Sequence, residues 1–175
     1  MGGRIKFSNE PADILARPAE RLVVRGFRNW MAGYEHGDIQ CWEQAWRDYS
    51  TLLGPRDGRL LLTELQYWVR ILRQVTMREI QCLPHCCRYL AHDECMALSM
   101  ISSHQHQDRG TAHAAAIYLC GQSGRDPLDL LSDASSSFAA ALSNTGHHLL
   151  PVPGEVIEDI AQRAIKGTDQ ALIRH

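Results

Sequence analysis

Residues Pro55–Thr76 read PRDGRLLLTELQYWVRILRQVT, and within them Leu61, Leu62, Leu65, Trp68, Val69, Leu72 and Val75 recur at steps of three and four. That period gathers the apolar side chains on one broad helical stripe and turns Arg59, Arg70 and Arg73 toward water. A stripe this wide suits the centre of a helical bundle. The segments on either side keep the same period, and none shows the strict alternation of a half-buried strand. The chain therefore reads as all-α, a compact bundle of about seven helices in one domain spanning residues 1–175, with residues 1–10 expected to be flexible.

Punctuation divides the helices. A first helix is expected from Pro11 to Tyr34, burying Leu15, Ala19, Leu22, Val23, Phe27 and Trp30 and closed by His36-Gly37. Asp38 is placed to cap a second, whose inward stripe is Cys41, Trp42, Ala45, Trp46 and Tyr49, and Gly54-Pro55 separates it from the third. Pro84 forces a turn, after which a fourth helix is expected to run to His106. A short Ala-rich helix, Thr111–Cys120, follows. Asp126-Pro127 opens the next, which Asn144-Thr145-Gly146 ends. Residues 144–153 are a possible hinge before a last helix that starts near Pro153 and buries Ile157, Ile160, Ala161, Ala164 and Leu172, with Arg163 and Lys166 later along it, as the helix dipole prefers.

The 175 residues are 45% hydrophobic and 22% charged, the balance of a globular chain able to bury a core without disulfide staples. A net charge of -2 argues against a general nucleic-acid binder. The charge is uneven, however. Residues 1–90 hold 13 Lys/Arg against 10 Asp/Glu, and residues 91–175 hold 5 against 10, giving +3 and -5. One half is thus suited to dock on the other, within or between chains. No apolar stretch approaches the ~20 residues that span a bilayer, and the N-terminal residues lead into no apolar signal segment, so a cytoplasmic protein without membrane association is expected.

Four of six cysteines crowd into residues 82–95, which speaks for reduced thiols over a disulfide framework. Cys82, His85, His92 and Cys95 form a candidate Cys2His2 set for zinc, or for iron, although paired Cys-x-x-Cys units are absent. The competing reading is packing, because Cys87, Ala91, Cys95 and Leu98 fall on one helical stripe and free Cys behaves as a small hydrophobe. Cys86 and Cys87, closest to a helix start, are the candidate redox thiols. His104, His106 and His113 read as a solvated polar helix end.

Catalytic templates are missing. Gly121-Gln122-Ser123-Gly124 lacks the spacing of a nucleophile elbow, and no His-Glu-x-x-His, P-loop, dinucleotide fingerprint or di-iron Glu-x-x-His occurs. The most orderly surface feature is Arg17, Arg21, Arg25 and Arg28, spaced as one basic edge suited to an anionic partner. The functional expectation is a non-catalytic helical interaction or regulatory protein, self-associating as a homodimer or binding another protein. Its alternatives are a metal-binding or thiol redox-sensing protein centred on Cys82–Cys95 and, third, a DNA-binding regulator.

Overall fold

The computed structural model describes residues 12–172, and among them it holds seven helices and no strand. The N-terminal residues 1–10 and the expected helix start at Pro11 lie outside the described residues, as do the side chains of Ala164, Lys166 and Leu172.

The expected first helix is two. Pro18 lacks an amide proton and holds the preceding residue out of helical geometry, so α1 (Ala12–Ala16) stops and Arg17 becomes the extended N-cap of α2 (Pro18–His36). Gly37, at φ 64°, closes α2 in the left-handed conformation that glycine adopts without cost. Asp38 then caps α3 (Ile39–Val75), accepting from the Gln40 amide at 2.9 Å, as anticipated.

Helix α3 is a run of hydrogen bonds interrupted at Gly54, whose φ of 82° and ψ of 166° are not helical, and Pro55 opens its second arm. In a straight helix Ser50 and Gly58 would stand about 12 Å apart. Here a Cβ on Gly58 would meet the Ser50 backbone at 3.0 Å, so the arms fold back on each other and the expected division at Gly54-Pro55 holds in substance. Trp68, on the second arm, is fully buried between Phe27 (ring centroids 5.4 Å) and Phe138 (5.5 Å). Tyr49, on the first, is equally buried and donates to the Leu22 carbonyl at 3.2 Å.

The fourth helix begins later than its pattern implied. Residues 76–91 form a non-helical strap, and α4 spans only His92–Gln105. Cys87 and Ala91 therefore precede the helix, and the stripe expected from Cys87 through Leu98 is not continuous. The strap's backbone is held by side chains instead of by helical partners. Helix α4 is central: it packs on α2, α5 (Arg109–Cys120), α6 (Arg125–Asn144) and α7 (Gly154–Leu172), with Met96, Met100 and Ile101 fully buried. Helix α6 starts at Arg125, one residue ahead of Asp126, with Gly124 as its N-cap, and ends as read, with Gly146 at φ 79°.

Of the possible hinge expected over 144–153, residues 147–153 run as a second strap along α4. Leu149 is buried, its amide bonds Gln105 Oε1 at 2.8 Å, and the Leu150 amide bonds Glu20 Oε1 at 2.9 Å.

A Cβ at Gly26 would stand 2.5 Å from the Tyr49 hydroxyl and 2.8 Å from Leu65 Cδ2, both on fully buried side chains. Gly26→Ala is expected to lower stability by about 1–3 kcal/mol of overpacking, exceeding the helix-propensity gain. Gly110→Ala, at an exposed position whose nearest atom is 3.7 Å away, is expected to stay within about 0.5 kcal/mol. Paired denaturant titrations check the contrast.

Candidate functional site

Two adjacent carboxylates at the start of α4 organise everything around the cysteine-rich segment. Glu94 meets Arg28 through two bonds, Nε to Oε1 at 2.7 Å and Nη2 to Oε2 at 2.9 Å. The same carboxylate accepts from the amides of Leu83 and Ala91, both at 2.9 Å. Arg28 also donates to the carbonyls of Cys87, at 2.6 Å, and Tyr89. Asp93 repeats the arrangement with Arg78, at 2.7 and 2.9 Å, and accepts from the Gln81 amide at 2.6 Å. Arg78 reaches on to the Tyr118 carbonyl of α5 and lies over the Tyr118 ring.

The arginine edge is corrected accordingly. Arg28 is 2% exposed and belongs to the core, because its partner carboxylate and carbonyls lie inside. Arg17, at a helix cap, pairs with Glu20 at 2.9 Å. Arg21 is exposed and Arg25 half-buried, so what remains of the edge is short.

The candidate metal ligands are not brought together. Among the described residues no group of three or more His, Cys, Asp or Glu side chains is arranged to hold a metal ion. His85 pairs with Asp48 at 3.3 Å, and His92 is exposed on the first turn of α4. Burial pushes the Cys82 thiol far above its ordinary range, with Glu94 and Asp93 adding to the effect, and raises Cys95 to about 11. Cys86 is exposed and Cys87 half-buried, and both lie on the strap that precedes α4, not within the helix.

A feature that sequence reasoning missed lies on the far side of α4. A cleft of about 660 Å³ opens between α4, α5 and α6 over an apolar floor of Met100, Ala112, Ala116 and Leu128. His104 and Ser132 line it, and Arg109, His113, Asp129 and Asp133 add charge and polarity. His104 is half-buried, not solvated as expected, and its Nε2 lies 2.9 Å from Ser135 Oγ. Burial lowers its pKa, and Asp133 partly opposes that. The available signal was the run of small residues: Ala112, Ala115 and Ala116 bring α5 close to α4, and Ser132 and Ser136 leave room opposite.

A second exposed feature is the outer face where α3 and α6 lie side by side. Ser137 Oγ donates to Glu64 Oε2 at 2.6 Å across the seam, and Gln122 reaches the Val75 carbonyl, so the helices run antiparallel. The α3 side presents Arg56, Leu60 and Arg70, with Leu60 60% exposed, and the α6 side presents Asp126 and Leu130, with Leu130 36% exposed.

No protein-family model, no curated protein and no solved structure matches this chain.

Glu94→Gln removes the charge opposite a buried guanidinium and is expected to cost about 3–5 kcal/mol. If it still folds, thiol labelling of the native protein is expected to reach Cys82 far faster than in wild type, while exposed Cys86 is modified rapidly in both. Equal protection of Cys82 in both proteins would show that the strap does not depend on Glu94. For His104, a folded-state pKa below the ordinary 6.5 means that the unfolded chain binds the proton more readily. Stability is therefore expected to fall as pH drops from about 6.5, and His104→Gln to flatten that slope in urea titrations across the window.

Proposed function

We propose that this chain is a non-catalytic helical protein that works by self-association, as a homodimer formed through the outer α3–α6 face. The observation that carries this reading is the pair of adjoining exposed faces, one basic and apolar (Arg56, Leu60, Arg70), the other acidic and apolar (Asp126, Leu130). Because the two helices are antiparallel neighbours, Arg70 stands near the height of Leu130, about one helical turn from Asp126. A two-fold axis parallel to the seam then sets Arg70 beside Leu130 of the second copy and within side-chain reach of Asp126, and the reciprocal pair forms by symmetry. The half-buried Tyr67 under the Arg70 guanidinium, 5.5 Å from ring centroid to Cζ, adds the aromatic and arginine content typical of interface centres.

The non-catalytic part rests on the fate of the charged groups near the cysteines. Asp93, Glu94, Arg28 and Arg78 are engaged in holding the strap, which leaves them poorly placed to move protons or bind substrate.

Sedimentation or light scattering over a concentration series tests the dimer. Arg70→Glu and Asp126→Arg are each expected to weaken self-association at least about tenfold, and raised salt to weaken the wild type. An equimolar mixture of the two variants is expected to recover it, since both cross-pairs become attractive again. A wild type that stays monomeric, or a mixture no better than its components, would sink the reading.

A further inference from the structure

The α4–α5–α6 cleft takes no part in that interface, and two of its charged side chains, Arg109 and Asp133, have no ion-pair partner among the described residues. We propose that it binds a small zwitterion, with an ammonium and a carboxylate on an apolar body, the size of a free amino acid or short peptide. Arg109 comes to the cleft from the first turn of α5 and Asp133 from α6. Among the described residues neither has an ion-pair partner, whereas Asp129 beside them is 3.8 Å from Arg125. Opposite charges that line one cleft without closing on each other are both satisfied by a ligand that carries both signs.

His104 adds direction. Ser135 gives its hydroxyl proton to the Leu131 carbonyl at 2.8 Å, so it accepts from His104 Nε2–H, and Nδ1 is left as an acceptor with no partner among the described residues. Burial favours the neutral form of the ring, with Asp133 partly opposing it. A neutral imidazole acceptor near the Asp133 carboxylate suits an ammonium group, while Arg109 suits the carboxylate as a planar donor pair. Between them the narrow exposed edges of Ala112, Ala116 and Leu128 form an apolar floor, and about 660 Å³ lies within the range of small-molecule sites.

The test is an NMR titration of the isotope-labelled full chain with L-leucine, leucyl-glycine and leucyl-glycyl-glycine, observing the His104 and His113 imidazole signals. At least one probe is expected to produce saturable shifts, and its N-acetylated or C-amidated form to bind at least about tenfold more weakly. Arg109→Gln is expected to abolish the preference for the free carboxylate, and Asp133→Asn that for the free ammonium. Both side chains are exposed, so folding is expected to be unchanged. No saturable shift from any probe up to about 10 mM, or equal binding of the blocked forms, would overturn the proposal. Either result leaves the dimer test untouched, because that test reads a different face.

Discussion

The contact between Arg28 and Glu94 is the constraint on which the surrounding structure depends. One guanidinium, reaching out of the interior of α2, fixes a carboxylate at the first turn of α4 and two carbonyls of the strap. The carboxylate in turn holds two strap amides, so the segment that cannot be helical around Pro84 still finds backbone partners. A buried ion pair of this kind is not in itself a gain over apolar packing, since both charges must leave water. Its value here is geometric: it defines where α4 starts and how the cysteine-bearing strap lies, and Asp93 with Arg78 extends the same hold to α5.

The same network accounts for the thiols. Cys82 and Cys95 are near carboxylates and under cover, which favours the protonated form, and the cations that would favour thiolates are already bonded to Asp93 and Glu94. Clustering in sequence therefore did not become a metal-holding group among the described residues. Four residues within fourteen positions look like a ligand set only while they are placed on one helix and one turn. Once the strap is extended by the two arginines, His85 turns to Asp48 and His92 to solvent.

What could be read from the sequence follows from how local each cause is. The apolar period of residues 55–76, the Asp38 cap and the stops at Gly37, Gly54 and Gly146 are decided by neighbouring residues, and they stand in the structure. The break at Arg17-Pro18 was equally local, but the periodicity running through it concealed it. The late start of α4 could not be read locally, because Arg28 and Glu94 are 66 residues apart and nothing in the spacing of either names the other. For the same reason Arg28 looked like one of four surface arginines. The cleft needed three helices to be placed before its lining residues became neighbours.

The unequal charge of the two halves has a partial answer inside the chain. Arg28 and Arg78 come from the basic half and Asp93 and Glu94 from the acidic half, so two of the complementary contacts are made within one molecule. They leave +1 and -3 on the two halves. Helix α6 concentrates much of what is left, and its composition shows why. One side, with Leu131, Phe138 and Leu142, closes the core, while Ser132 and Asp133 face the cleft and Asp126 and Leu130 lie along the α3 seam. A helix required to serve a core, a cleft and an outer face at once cannot be simply amphipathic. The mixture of Asp, Ser and Ala in a segment bounded by clear start and stop signals is what those three demands leave in the sequence.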